Sequence, residues 1–265
     1  TQDVIHSFWA PQLAGKRDMI SNKTNYMWYT PDATLAEDAF NGFCTEYCGT
    51  SHANMRFRVY TTAPANFESW AAHQKRPAIG SPAALAAKAS ADSAARKAPA
   101  RAAIVPIPAQ APVMAEGYVF PIGKLKAHNI PRTPIPASIT FDDALLAQGD
   151  AARGHDLVTN MANLGKAPCL TCHVIRGEMA MITDEQAKGP NLTHVGTRHT
   201  FAGGLFPTSA SNLARWVKNA QVMKPGATMN TFGMGEYSPL MKAKVTAGLS
   251  DKEIADLVAY LMSLK

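Results

Sequence analysis

The pattern of apolar and polar residues divides the chain into three regions. In residues 1–72 it has the period of two that is typical of β-strands, and it is clearest where Met55, Phe57 and Val59 share one face. Three strands are expected, at residues 3–9, 25–29 and 55–60. Residues 61–72 read as a short closing segment, so the first region is predicted to be a β domain.

The last region, residues 141–265, has a helical pattern. Its final helix has a clear start, because Ser250 is a suitable N-cap and Glu253 completes a capping box three residues later. The apolar stripe of this helix follows at Ile254, Leu257, Val258 and Leu261. Two earlier helices are expected within 144–160 and 212–221. This region is therefore predicted to be an all-α domain.

Between the two domains, residues 73–115 are rich in Ala, Pro, Lys and Arg and contain no aromatic residue. Such a segment buries too little apolar surface to offset its ordering entropy, so it is predicted to be a tether, with transient helix within 83–95. Residues 118–140 regain aromatic residues and several prolines, which suggests an extended strap on a domain surface. The predicted organisation is a β domain (1–72), a linker with its strap (73–140) and a helical domain (141–265).

The net charge of +6 is concentrated in the predicted tether, which holds six Lys and Arg residues against one Asp. The remainder is nearly neutral, which argues against a nucleic-acid-binding surface. The sequence has no apolar run of about 18 residues that would cross a membrane, and no signal-peptide pattern. We therefore expect a soluble chain that reaches a membrane only through another segment or subunit.

One short loop contains four metal-ligand side chains in the pattern Cys44-x3-Cys48-x3-His52-x2-Met55. Thiolate, imidazole and thioether ligands suit copper rather than magnesium or calcium. Two cysteines in one loop imply bridging thiolates and two copper ions, with a second imidazole from elsewhere, for which His6 is the natural candidate. Two alternatives remain: a zinc site formed by both cysteines and both histidines, and short-loop disulfides.

A second motif, Cys169-Leu-Thr-Cys172-His173, has the Cys-x-x-Cys-His spacing of c-type haem attachment. The two cysteines would form thioether bonds, and His173 would be the proximal iron ligand. A thioredoxin-like redox pair is the alternative, but it needs a βαβ context that the sequence lacks.

Four segments resemble subunit II of haem–copper cytochrome c oxidases: Asp3-Val-Ile-His-Ser-Phe-Trp9, Thr24-Asn-Tyr26, Cys44-Thr-Glu-Tyr-Cys-Gly49 and His52-Ala-Asn-Met55. The resemblance implies a cupredoxin domain with a dinuclear CuA centre. Its ligands would be His6, Cys44, Cys48, His52, Met55 and the backbone carbonyl of Glu46. In that family two membrane helices and further strands usually precede the first ligand, so the cupredoxin is expected to be incomplete at its amino end, or completed by another chain.

The region after the haem motif resembles a class I cytochrome c domain through Gly189-Pro-Asn-Leu192, Trp216, Lys224-Pro-Gly226 and Met229. The resemblance implies that Met229 is the distal haem ligand and that the Pro190 carbonyl accepts a hydrogen bond from His173. Arg198 and Trp216 would contact the haem propionates.

The distal position has competitors. Proline usually follows the distal methionine in this family, whereas Asn230 stands here. Two other methionines, Met223 and Met234, lie nearby in sequence, and His194 or His199 would give a bis-histidine haem. The distance from the Lys-Pro-Gly turn favours Met229.

The fusion of both modules resembles caa3-type oxidases. It implies the electron-transfer subunit of a terminal cytochrome c oxidase in a respiratory chain, at the periplasmic face of a bacterial membrane. Electrons from a cytochrome c or a membrane donor complex would pass through haem c and CuA to subunit I, where oxygen is reduced and protons are pumped. This chain has no catalytic residues for oxygen chemistry. The competing readings are nitrous oxide reductase, a nitric oxide reductase with a CuA-bearing subunit, and a free electron carrier.

Overall fold

The structure is a computed structural model that describes residues 1, 3–13, 15–35, 37–78 and 117–265. The predicted transient helix at 83–95 lies outside these residues. Four longer strands form the amino-terminal sheet: β1 (His6–Trp9), β2 (Arg17–Met19), β3 (Asp38–Cys44) and β4 (Arg56–Thr61). The helices are α1 (Pro64–Gln74), α2 (Ala151–Thr159), α3 (Ala210–Met223) and α4 (Asp251–Ser263).

The amino-terminal sheet is antiparallel with the strand order β2-β1-β3-β4. The predicted strands at 3–9 and 55–60 are confirmed by β1 and β4. The central strand β3 was not predicted, because it contains Asp38, Asn41 and Gly42, which have low strand propensity. Its first three residues are nevertheless buried, so tertiary packing outweighs local propensity here.

The strand predicted at 25–29 is wrong. The structure gives this segment no strand pairing, and Tyr26 and Trp28 are 74% and 78% exposed. The side chain of Asn25 donates a hydrogen bond to the Asp18 carbonyl at 2.7 Å, and Tyr29 packs against Phe8 with ring centroids 6.4 Å apart. In this segment the aromatic rings of Tyr26 and Trp28 therefore face solvent, whereas that of Tyr29 packs on the sheet.

Helix α1 was also not predicted. It begins at Pro64, a residue suited to the first helical turn, and continues beyond the expected end of the β domain. Ala78, which follows it, is fully buried in the core of the helical domain. The carbonyls of Gln74 and Arg76 also accept hydrogen bonds from Arg176 (2.6 Å) and His194 (3.1 Å). The start of the predicted tether is thus packed against the helical domain.

The helical domain is built around the contact between α2 and α4. A Cβ on Gly154 would lie 2.0 Å from the Asp256 carbonyl oxygen, so this close helix crossing requires glycine. The predicted capping box is confirmed: the side chain of Ser250 accepts from the Glu253 backbone, and the Glu253 carboxylate accepts from the Ser250 backbone. Helix α3 packs on α4 and has non-helical backbone at Asn219.

The expected strap is present at residues 117–140 as extended chain with short 3-10 turns. It joins both domains, because the buried amide of Asn129 donates to the Ala39 carbonyl while the Phe120 carbonyl lies 2.6 Å from Nε2 of His199. At its start, Gly117 has a positive φ of 68° and lies so close to His73 that a Cβ would be 2.4 Å from the histidine Cβ.

We expect Lys126→Met to lower the free energy of unfolding by up to about 1 kcal/mol at pH 7. Nζ of Lys126, on the strap, lies 2.6 Å from the Asp38 carboxylate in β3. This hydrogen bond lowers the pKa of Asp38 below its ordinary 3.8. The stabilisation is therefore present above about pH 4 and is lost as pH falls through the lowered pKa. Denaturant titrations should separate the variant from the wild type at pH 7 and bring them together in acid.

The exposed Lys23 provides a control for loss of a surface charge. Lys23→Met should unfold like the wild type at every pH. An equal loss in both lysine variants would contradict a specific tie between the strap and the sheet.

None of the helices in the described part of the chain is long and apolar enough to cross a membrane.

Candidate copper and haem centres

The copper loop, Cys44–Met55, connects β3 to β4, and β1 brings His6 beside it. Cys44 is the last residue of β3, and its backbone N–H donates to the Met55 carbonyl at 3.0 Å, which closes the loop. The N–H of Thr45 donates to the Ser7 carbonyl at 3.1 Å. Backbone pairing therefore places the loop next to the strand that carries the histidine.

The side chains of the copper loop form a row of donor atoms. Cys44 Sγ lies 3.8 Å from Nδ1 of His6 and 3.7 Å from Cys48 Sγ. Cys48 Sγ in turn lies 3.5 Å from Nδ1 of His52 and 3.8 Å from the Met55 sulfur. Each thiol therefore faces a different imidazole.

The carbonyl oxygen of Glu46 completes the set, at 3.2 Å from the Cys44 sulfur. All six residues predicted as copper ligands are thus brought together. The set consists of two thiols, two imidazoles, a thioether and a carbonyl, and its soft donors fit copper.

The two thiols have different acidities. Burial raises the pKa of Cys44, but hydrogen bonds from the backbone at Ser7 and Glu46 and from the side chains of His6 and Cys48 outweigh it and lower the pKa to about 6. Burial and the neighbouring thiol raise the pKa of Cys48. The pair thus favours one thiolate before a metal binds, and metal binding would favour the second.

Two residues near the copper loop were not predicted. Asp3 Oδ1 lies 2.9 Å from Nε2 of His6. This contact orients the His6 ring so that its other nitrogen, Nδ1, faces Cys44. Tyr47 is 77% exposed and packs edge-on against His52, with ring centroids 5.7 Å apart. The carboxylate three residues before the histidine was a sequence signal for Asp3, whereas Tyr47 gave none.

The geometry bears on both alternatives for the cysteines. All four are free, and the sulfurs of Cys44 and Cys48 are 3.7 Å apart, well beyond a disulfide bond. In the described residues, the donor atoms of His6, Cys44 and Cys48 lie within 4.8 Å of one another, but His52 is outside this group. A single tetrahedral zinc site would need all four together.

The haem motif lies in a short 3-10 turn, Cys169–Thr171, that follows α2. His173 Nδ1 lies 2.8 Å from the Pro190 carbonyl, the hydrogen bond that the resemblance to class I cytochrome c implies for a proximal histidine. A Cβ on Gly189 would lie 2.2 Å from the His173 ring, so glycine leaves room for the imidazole. Burial lowers the pKa of His173, which favours the neutral form that binds iron.

The candidate distal ligands differ in their surroundings. Met229 is half-buried, and its carbonyl accepts a hydrogen bond from Gln221 at 2.9 Å. Met223 is 4% exposed and packs in an apolar cluster with Ile139, Leu205 and Phe206, while Met234 is 52% exposed. Nε2 of His194 and of His199 both lie on backbone carbonyls outside the haem region, those of Arg76 and Phe120.

Arg198 and Trp216, the residues predicted at the propionates, are both half-buried. Arg198 donates to the Asn191 carbonyl, and Trp216 packs edge-on against Phe201 with ring centroids 5.6 Å apart. Burial lowers the pKa of Arg198. A carboxylate group such as a haem propionate would compensate its buried charge.

Comparison with known proteins follows the same division of the chain. Residues 1–62 match the periplasmic domain family of cytochrome c oxidase subunit II, and residues 151–265 match the cytochrome c family. The first region is thus similar to an oxidase subunit II domain and the last to a cytochrome c domain. These two matches fit a multidomain layout, and the family description supports a location at the outer face of the membrane.

Relatives named cytochrome c oxidase subunit 2 align with the whole chain. The protein of Alkalihalophilus pseudofirmus is 23% identical over 269 residues, which are 100% of this chain and 49% of the relative. That of Bacillus sp. (strain PS3) is 24% identical over 266 residues, 99% of this chain and 51% of the relative. The chain thus spans about half the length of these curated relatives.

The subunit II domain also aligns separately. The alternative cytochrome c oxidase subunit 2 of Bradyrhizobium diazoefficiens is 34% identical over 73 residues, which are 28% of this chain and 25% of that protein. Copper is typical of the subunit II family, and haem c is implied by the cytochrome c domain.

Proposed function

We propose that this chain is the electron-transfer subunit of a terminal cytochrome c oxidase of the caa3 type. Electrons from a cytochrome c-type donor would enter at haem c, continue to a dinuclear CuA centre, and leave for the haem a and haem–copper centre of subunit I. There oxygen would be reduced to water and protons pumped. The observation that carries the proposal is the pair of thiols 3.7 Å apart, each facing its own imidazole.

This paired arrangement supports two copper ions rather than one. His6 would serve the ion on the Cys44 side, with His52 on the Cys48 side and both sulfurs shared. Met55 would complete the ligands of the ion on the Cys48 side, and the Glu46 carbonyl those of the ion on the Cys44 side. The matched subunit II domain and the antiparallel sheet support a cupredoxin fold.

The cytochrome c domain would hold its haem through Cys169 and Cys172, with His173 as proximal and Met229 as distal ligand. The Pro190 carbonyl would orient the proximal imidazole, and Arg198 and Trp216 would meet the propionates. Bound haem and copper would both supply one-electron redox chemistry. The protein side chains would bind and orient them and shield them from water.

The enzyme activity would belong to the complex, in which subunit I and other membrane subunits are the partners. The periplasmic family match supports the outer face of a bacterial membrane. The partner membrane subunits would hold the chain at that face. No nucleic-acid partner is proposed.

A free electron carrier is the second candidate, and a nitric oxide reductase subunit the third. Copurification from membranes distinguishes them. The proposal requires this chain to remain bound to a subunit that contains haem a. If this chain is never found associated with such a subunit, the proposed oxidase function is wrong.

We expect metal analysis of the intact chain to give about two copper ions and one haem iron. EPR of the oxidised chain should show a mixed-valence copper signal. In that state one unpaired electron would be delocalised over two copper ions bridged by the two thiolates. Zinc in place of copper would overturn the copper centre, and a haem removable by acid acetone would overturn covalent attachment.

A further inference from the structure

Two turns of the cytochrome c domain lie directly against the copper loop and β4. Turn one, Ala202–Gly204, connects the short strands β5 (Thr200–Phe201) and β6 (Phe206–Pro207). Turn two, Lys224–Gly226, follows α3 and precedes Met229. We call them the docking turns. Nζ of Lys224 lies 3.4 Å from the Ala202 carbonyl and ties the two turns together.

Turn two contacts the copper loop beside one of its ligands. Ser51 Oγ donates a hydrogen bond to the Pro225 carbonyl at 2.6 Å. A Cβ on Gly226 would lie 3.2 Å from the Cβ of Ser51 and 3.3 Å from its hydroxyl. Contacts this short leave little room for a side chain at Gly226. Ser51 immediately precedes His52, so the contact joins the copper loop to the segment that leads to the proposed distal haem ligand.

Turn one contacts the end of the copper loop and β4, the strand that follows this loop. A Cβ on Gly203 would lie 3.4 Å from the Arg56 carbonyl oxygen and 3.6 Å from that of Asn54. The Gly204 carbonyl accepts a hydrogen bond from Nη2 of Arg58 at 3.4 Å. The turn therefore packs backbone against backbone.

The backbone of turn one is strained at Ala202. Ala202, Gly203 and Gly204 all have positive φ, of 55°, 75° and 76°. Alanine rarely adopts such a conformation, and it persists only where surrounding contacts compensate its cost. The contacts of turn one with β4 provide such compensation.

From these contacts we infer that the docking turns hold the cytochrome c domain in one fixed position on the copper loop, with the proposed distal side of the haem pocket next to Ser51. Electron transfer between the two centres would then need no movement of one domain relative to the other. The role of this docking in electron transfer rests on the proposed function. The docking itself depends only on contacts between residues of this chain. A separate donor protein would meet the cytochrome c domain, because the docking turns cover this side of the copper loop.

The first test compares two glycines with similar backbone. Gly226 and Gly235 have φ of 87° and 81°, but among the described residues no atom would lie within 4 Å of a Cβ on Gly235. Asparagine tolerates positive φ better than most residues. Gly226→Asn should therefore push the docking turn off Ser51, while Gly235→Asn carries the same backbone cost without a clash.

Pulsed EPR on the complete chain, with both cofactors bound, measures the distance between the haem and copper spins. The wild type and Gly235→Asn should give one narrow distance distribution, and Gly226→Asn a broad one or a longer mean distance. A broad distribution in the wild type would overturn the fixed docking, as would a Gly226→Asn distribution identical to that of the wild type. A missing copper or haem signal would count against the proposed function instead.

The second test needs no cofactor signal. Ser51→Ala removes the hydrogen bond to Pro225 and should speed amide hydrogen exchange in the docking turns about fivefold. Ser51→Thr keeps the hydroxyl and should preserve most of the protection. Unchanged exchange in Ser51→Ala would contradict a docking role for this hydrogen bond, even if copper binding is normal.

Discussion

Cys48→Ser should abolish the mixed-valence copper signal and lower the copper content from about two ions per chain to at most about one. Cys48 Sγ is the donor that lies within 3.8 Å of Cys44, His52 and Met55 together. A serine hydroxyl is a much harder ligand than a thiolate and does not bridge two copper ions in the same way. EPR and copper analysis measure both effects.

The haem motif provides the reciprocal control. Cys172→Ser should lose one thioether bond to the haem while its copper signal remains that of the wild type. Cys48→Ser should in turn keep its covalent haem. A mixed-valence signal that survives in Cys48→Ser would contradict a bridging role, and loss of both cofactors from either variant would indicate misfolding rather than a specific ligand.

Met229→Leu should remove the methionine-ligation band from the optical spectrum and lower the haem reduction potential by the order of 100 mV. Thioether ligation stabilises ferrous haem, and leucine offers no donor atom. The half-buried position of Met229 after the Lys224–Gly226 turn supports its assignment as the distal ligand. Optical spectra and a redox titration of the intact chain measure the change.

The competing methionines are the matched controls. Met234→Leu changes an exposed side chain, and Met223→Leu conserves volume inside an apolar cluster, at a cost below about 1.5 kcal/mol. Both should keep the optical band and the potential of the wild type. If either of them loses the band while Met229→Leu retains it, the assignment of the distal ligand is wrong.

Much of both candidate sites could be predicted because their patterns are local. The predicted copper ligands from Cys44 to Met55 lie within twelve residues, and the haem motif from Cys169 to His173 within five. Ligand spacing of this kind reflects the chemistry of the metal and depends little on the surrounding fold. The capping box at Ser250 was predictable for the same reason, since it involves one helical turn.

The parts that could not be predicted depend on contacts between distant residues. Strand β3 has weak strand propensity, and its burial comes from β1 and β4 on either side. Ser51 and Pro225 are 174 residues apart, and neither belongs to a motif that would pair them. The strap was expected on a domain surface, but its contacts with both domains through Asn129 and Phe120 are visible only in three dimensions.

The close contact between Gly117 and His73 has a consequence for how this fusion tolerates change. Ala78, five residues after His73, is buried in the core of the helical domain, and Gly117 lies beside that same histidine. The sequence predicts a tether between these two points, and doubling the length of a flexible loop between fixed ends costs only about 0.6 kcal/mol. We therefore expect insertions or deletions in the predicted tether to leave the placement of the two domains largely unchanged.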